Sequence, residues 1–168
     1  MKISKTKLKN VIKIRLKAFV DHRGKYLETF NEKLFKKTGK KINFIQDDIS
    51  ISKKNVLRGI HGDFKTWKLI TCLYGEFFLL VVNNKKNDKQ FKKYQIFYLT
   101  DKNNIQILVP PGFGNAHYVK SKEAIFHYKQ STLYNRKSQF TIKWNSKDHN
   151  FKWPFKKKPI TSKRDKVK

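Results

Sequence analysis

An all-β fold of the jelly-roll type, with one short helix near its N-terminus, is what this 168-residue sequence predicts. Three observations carry that expectation. From Ile42 onward, short segments rich in Ile, Val, Phe and Tyr recur at the spacing of a sandwich or barrel. Turn signals separate them, most clearly at Tyr74-Gly75-Glu76 and Pro110-Pro111-Gly112. One stretch alone has helical spacing, and no period of the solenoid kind repeats.

Taken in order, Val20 to Phe30 alternates polar and apolar residues around Asp21-His22-Arg23-Gly24, the pattern of a hairpin. Glu28 to Lys37 carries Phe30, Leu34 and Phe35 on one helical face and ends before Gly39. Strands are expected over Phe44–Ile51, Leu69–Tyr74, Glu76–Asn83, Tyr94–Leu99, Ile105–Val109, Ala116–Val119, Ile125–Gln130 and Thr141–Trp144. Antiparallel strands in that number fold most simply as a jelly roll. Residues 1–155 are read as the domain and 156–168 as a solvated basic tail.

Composition narrows the function classes. Aromatic residues make up 14%, with 14 Phe, so the chain buries a core. The lone Cys72 fits a reducing compartment, and a cytoplasmic location is expected. The first residues are lysine-rich, and Lys13, Arg15 and Lys17 interrupt the apolar residues after them, so neither a secretory signal nor membrane insertion is expected. A net charge of +28 raises the question of nucleic acid. The lysines are spread along the chain rather than focused, many at turns such as Asn84-Lys85-Lys86-Asn87, so no specific nucleic-acid partner is expected. The charge still attracts anionic ligands.

There is no glycine loop of the phosphate-cradling kind and no cysteine pair for zinc. His22, His61, His117, His127 and His149 are scattered, so neither a metal nor a cofactor is expected. The informative stretches are Leu57-Arg58-Gly59-Ile60-His61 with Lys68, and Pro110-Pro111-Gly112-Phe113-Gly114-Asn115-Ala116-His117. Around them stand Asp21-His22-Arg23-Gly24 with Glu28 and Phe30, and Gln46-Asp47-Asp48 with Ser50 and Ser52. Lys143-Trp144-Asn145, Lys152-Trp153-Pro154 and Ser162-Lys163-Arg164-Asp165 complete the set.

In that order, these segments resemble the dTDP-4-dehydrorhamnose 3,5-epimerase family, whose histidine lies in an "LRGLH" segment. The resemblance implies a cupin-like double-stranded β-helix, although the paired histidines of metal-binding cupins are replaced after His61 by Gly62-Asp63. It implies a cofactor-free epimerase acting on a nucleoside-diphosphate 4-keto-6-deoxy sugar in lipopolysaccharide or capsule synthesis. A 4-keto group acidifies the hydrogens on C3 and C5, and histidine is suited to remove them near neutral pH. By this resemblance His61 is the base, Asp165 its orienting carboxylate, Lys68 the cation at the enolate oxygen and Tyr134 the opposing acid. Arg23, Glu28, Gln46, Arg58, Asn115 and His117 would bind substrate, with Arg23 reaching a neighbouring subunit's site in a domain-swapped homodimer.

Residues 62–63 and 113–118, with Gln139-Phe140-Thr141, look more like the GDP-linked 4-keto-6-deoxy-heptose branch. Asn115 and Asn83 stand where the rhamnose enzymes carry histidine and aspartate, which leaves open whether C3, C5 or both are inverted. Two other readings are a non-catalytic nucleotide-sugar-binding cupin and a polyanion-binding protein. Salt-sensitive nucleic-acid affinity would mark the latter.

Overall fold

The computed structural model describes residues 1–155 and 157–166. Its strands are β1 (Lys2–Lys5), β2 (Ile12–Arg15), β3 (Ala18–Asp21), β4 (Gly24–Leu27), β5 (Gln46–Lys53), β6 (Leu57–Gly62) and β7 (Lys68–Tyr74). They continue as β8 (Glu76–Asn83), β9 (Tyr94–Thr100), β10 (Ile105–Val109), β11 (Phe113–Val119), β12 (Glu123–Gln130) and β13 (Phe140–Thr141). A six-stranded sheet runs β1-β2-β10-β7-β12-β5 and a five-stranded sheet β13-β6-β11-β8-β9, while β3 and β4 pair only with each other. The ladders are antiparallel, so the jelly-roll expectation holds.

The two sheets face each other across one apolar layer. Ile70, Cys72, Ile107, Val109 and Phe126 of one sheet meet Phe77, Leu79, Val81, Leu99 and Val119 of the other. Strand alternation puts these residues inward at every second position, and burial of that layer is the main stabilising term. The outer faces are covered as well. Phe30, Phe35 and Phe44 pack with Leu16, Leu69 and Leu108 over the larger sheet. Phe151 and Trp153 pack with Ile60, Leu80 and Val82 over the smaller one.

Several elements differ from expectation. The helix α1 spans Glu32–Phe35 only, because Asn31 accepts from the Leu34 amide and caps it there. A 3-10 turn, Lys36–Thr38, follows and ends at Gly39 with φ 72. β1 and β2 were not expected, since their lysines hide the pattern that buries Ile14 and leaves Arg15 exposed. β6 stands out in the sequence as a motif and not as a strand, because two glycines weaken its strand signal. The strand expected at Thr141–Trp144 shrinks to Phe140–Thr141.

The expected solvated tail is the largest correction. Ile160 bridges Val56 in parallel, and the amides of Leu57 and Ile160 bond the carbonyls of Ile160 and Asn55, each at 2.9 Å. Pro159 and Asp165 are buried. Residues 159–165 therefore belong to the folded unit, because the backbone groups of 55–57 find their partners there. Residues 156, 167 and 168 of that expected tail lie outside the described residues. Among the described residues no helix is long and apolar enough to cross a membrane.

Candidate active site

A cleft of about 470 Å³ opens between the sheets, lined by side chains from β5, β6, β7, β11 and β12, the loop after β12 and the C-terminal segment. Its placement follows from a bulge. Asn115 of β11 opposes His61 and His117 opposes Arg58, so β6 spends three residues where β11 spends two. Strict alternation would put residues 58 and 61 on opposite faces, yet both line the cleft while Ile60 packs outward. Gly59 makes this possible. It sits at φ 120, and a Cβ there would lie 2.6 Å from the Ala116 Cβ.

His61 Nε2 lies 2.8 Å from Asp165 Oδ1, with the carboxylate side chain 3% exposed. An ionised carboxylate only accepts, so at this separation it favours the tautomer with the proton on Nε2 and the lone pair on Nδ1. Ser162 donates to Asp165 Oδ2 at 2.8 Å and so fixes the second oxygen. Burial works to raise the Asp165 carboxyl, but the bonds from His61 and Ser162 outweigh it and hold it below its ordinary value.

Lys68 is buried and donates to Asn115 Oδ1 at 3.3 Å. Desolvation lowers its ammonium to about 8, with Asp63 opposing and Arg164 adding to the shift. Its charge is poorly solvated and poorly compensated, a state in which an incoming anion is strongly favoured. Arg58 donates from Nε to Ser52 Oγ at 2.9 Å, which leaves its terminal nitrogens for a ligand. His117 is 3% exposed and stacks on Phe126 with ring centroids 4.1 Å apart. Burial, with Arg58 nearby, pushes its imidazole down to about 3, so it is a neutral polar group in the cleft wall.

Tyr134 is 47% exposed at the cleft mouth. Its amide donates to Gln46 Oε1 at 2.7 Å, and its Oη accepts from Arg164 at 3.2 Å. A rival phenol, Tyr128, also lines the cleft. Burial first, then the Asp48 charge, the neighbouring Tyr134 and a bond to Asp48, raise Tyr128 to about 12. Tyr128 is thereby held in its neutral form, while the Oη of Tyr134 accepts from Arg164.

The cleft thus gathers His61, Tyr134, Lys68, Asp165, Gln46, Arg58, Asn115 and His117. It does not gather Arg23 or Glu28. Arg23 is exposed at the β3–β4 turn and pairs with Asp21 at 2.6 Å. Glu28 accepts from Asn31 at 3.0 Å and lines a separate hollow. The hairpin joins neither large sheet, so nothing in this chain carries its residues into the cleft. Asn83 is fully buried at the end of β8, accepts from the Lys85 amide and does not line the cleft, so that departure shapes a turn and not the sugar pocket.

Sequence reading missed Asp48, Tyr128, Gln139 and Arg164, which also line the cleft. For Asp48 the inward alternation of Gln46, Asp48 and Ser50 along β5 was a usable signal. For Arg164 there was none, because its place depends on the return of the chain end. Among the described residues no group of three or more His, Cys, Asp or Glu is gathered as a metal site.

The family model for dTDP-4-dehydrorhamnose 3,5-epimerase matches residues 5–168. The dTDP-4-dehydrorhamnose 3,5-epimerase of Shigella flexneri is 36% identical over 98% of this chain and 93% of its own length. The crystal structure of an enzyme of the same name from Elizabethkingia anophelis is similar at TM-score 0.90 and 36% identity, covering 98% of this chain and 93% of that one. A dTDP-6-deoxy-D-glucose-3,5-epimerase from Legionella pneumophila, solved in complex with dTDP-4-keto-L-rhamnose, superposes at TM-score 0.94 with 30% identity, over 98% and 89% of the two chains.

Proposed function

The chain belongs to the dTDP-4-dehydrorhamnose 3,5-epimerase family, and we propose that it inverts carbon beside the ketone of a dTDP-linked 4-keto-6-deoxy hexose. The observation that carries this is the His61–Asp165 pair facing a cleft shared with Lys68 and Tyr134. The dTDP ligand of the Legionella structure favours a dTDP sugar over the GDP-heptose expected from residues 62–63 and 113–118.

Each group has a role that its surroundings support. His61 Nδ1 removes the proton on C3 or C5, and Asp165 stabilises the imidazolium that results. The C–H electron pair becomes an enolate, and Lys68 holds the charge on its oxygen. Tyr134 returns a proton to the opposite face of the ring. Arg58 binds the diphosphate bidentately, while Asn115 and His117 offer neutral hydrogen bonds. Gln46 acts indirectly, because its amide is spent on Tyr134 and Asp48.

The β3–β4 hairpin exposes Phe19, Val20 and Tyr26 at 54%, 75% and 68%. β5 is the sheet edge and exposes Ile49 and Ile51 at 60% and 55%. Both surfaces support a homodimer in which the hairpin carries Arg23, with Glu28 just beyond its second strand, to the partner's cleft. The lone, buried Cys72 suits a cytoplasmic enzyme, and the product would feed surface-polysaccharide synthesis.

A second reading, inversion at C3 alone, is favoured by Asn115, whose amide can orient Lys68 but cannot shuttle a proton. One experiment tests both. Incubation with dTDP-4-keto-6-deoxyglucose in D2O should add deuterium, two atoms for inversion at both carbons and one for C3 alone. Absence of uptake from any 4-keto sugar nucleotide would sink the epimerase reading.

A further inference from the structure

We infer that His117 reads the 2-hydroxyl of the sugar and so sets which sugars the cleft turns over. The inference rests on the epimerase reading. Nε2 of His117 is shut from water and has no hydrogen-bond partner among the described residues. A buried nitrogen left in that state costs stability unless a ligand completes it. His117 lines the cleft, so a bound substrate can supply the partner. Ser50 Oγ, on the same cleft, is buried and unpartnered in the same way. Both adjoin Phe126, which opposes Ser50 in the β5–β12 ladder and stacks on His117 at 4.1 Å.

The register of β11 decides which part of the substrate passes there. Asn115 opposes His61 and accepts from Lys68, the two residues that act at the inverted carbon and the ketone oxygen. His117, two residues along, opposes Arg58, whose terminal nitrogens take the diphosphate on C1. A sugar with its ketone at the first pair and C1 at the second carries C2 past His117. The 3-hydroxyl moves when C3 is inverted, whereas the 2-hydroxyl keeps its configuration and can be held throughout. A hydroxyl both donates and accepts, so it satisfies a neutral imidazole in either tautomer.

Neutrality suits this position. Burial, with Arg58 nearby, pushes the imidazole down to about 3, so it stays uncharged near neutral pH. The 2-hydroxyl is β to the ketone and is exposed to elimination once the C3 proton has gone. The enolate oxygen would re-form the carbonyl, the C3–C4 π pair would move to C2–C3, and the C2–O bond would break. An acid beside that oxygen would carry it off as water. A neutral imidazole binds the hydroxyl without acting as that acid.

The test measures kcat/KM for deuterium uptake with dTDP-4-keto-6-deoxyglucose and with its 2-deoxy counterpart. The unsubstituted protein should prefer the 2-hydroxy sugar by about 10- to 100-fold, the scale of a buried polar group left unpaired. His117→Phe keeps a ring to stack on Phe126 and removes both nitrogens. The preference should then shrink to about threefold or less, because the 2-hydroxy sugar loses far more than the 2-deoxy one. His117→Gln, whose amide donates and accepts, should retain part of it.

Equal losses on both sugars in His117→Phe would make His117 a packing residue and overturn the inference. So would an undiminished preference in that variant, or no preference in the unsubstituted protein. None of these outcomes touches the epimerase reading, which needs only uptake from the 2-hydroxy sugar. If His117→Phe does not fold, His117→Leu and His117→Gln are judged by the same ratio. No uptake from any 4-keto sugar nucleotide would remove the epimerase reading and this inference together.

Discussion

His61 Nε2 and Asp165 Oδ1 stand 2.8 Å apart, and only one of the two is shielded fully from water. The imidazole keeps 21% of its side-chain surface, which opens Nδ1 to the cleft while Nε2 stays with the carboxylate. Asp165→Asn keeps the shape but removes the acceptor-only partner, so the imidazole loses both its tautomer and the charge that stabilises it. We expect kcat to fall by about 10²–10⁴ with KM little changed, and His61→Ala to abolish deuterium uptake. Steady-state kinetics and mass spectrometry check both. Wild-type uptake in His61→Ala would remove His61 as the base.

Lys68 predicts the basic side of the pH profile. Burial lowers its ammonium to about 8 in the free protein. Only the protonated form stabilises an enolate, so kcat/KM should decline as pH rises through about 8. The limb in kcat should lie higher, because a bound dianion favours the charged form. Lys68→Met should lose about 10²–10³ in kcat, the scale of one lost oxyanion donor, along with that limb. An unchanged limb in Lys68→Met would assign the ionisation elsewhere.

His117 predicts a stability effect instead. Its folded value, pushed down to about 3, lies well below the ordinary 6.5 that the unfolded chain regains. Between those values the unfolded state binds a proton that the native state refuses. Stability therefore falls as pH drops below about 6.5, at up to about 1.4 kcal/mol per pH unit from this group. Urea unfolding at pH 7 and pH 5 should show His117→Phe losing less stability than the parent, by up to about 2 kcal/mol. Equal losses would mean that the buried imidazole takes up a proton in the native state.

Arg23 gives a test of the dimer by complementation. If the hairpin serves the partner's cleft, Arg23→Ala and His61→Ala chains should each be impaired when alone. Mixed and allowed to exchange subunits, they should form one intact cleft in each mixed dimer, restoring about a quarter of full activity. Light scattering should report two chains per particle. No restoration on mixing would place the action of Arg23 within its own chain or nowhere near the substrate.

Strands such as β7, β8 and β10 are legible in the sequence because they are short, nearly unbroken runs of Ile, Val, Leu and Phe bounded by turns, the pattern of strands buried on both faces. β1 and β2 are not. Lysine and isoleucine are interleaved there, and only pairing with β10 shows that Ile14 lies under the cluster of Phe35, Leu69 and Leu108. At the site, His61, Arg58 and Lys68 stand out by their setting in and just after Leu57-Arg58-Gly59-Ile60-His61. Glycine at 59 is visible as a letter, and its work is not. The bulge that turns residues 58 and 61 to one face exists only where Ala116 crowds it.

The sequence alone therefore determined the sheet-rich fold and the family, and it singled out His61 as the candidate base, because these depend on short apolar runs and on residues close together in the chain. Tertiary structure decided the rest. It folded 159–165 back along β6, put Arg164 on Tyr134 and Asp165 on His61, and left Arg23 outside its own cleft. Those outcomes depend on long-range pairing. Unsatisfied backbone groups at 55–57 and an unshielded imidazole find partners about a hundred residues away, and no local pattern encodes that closure.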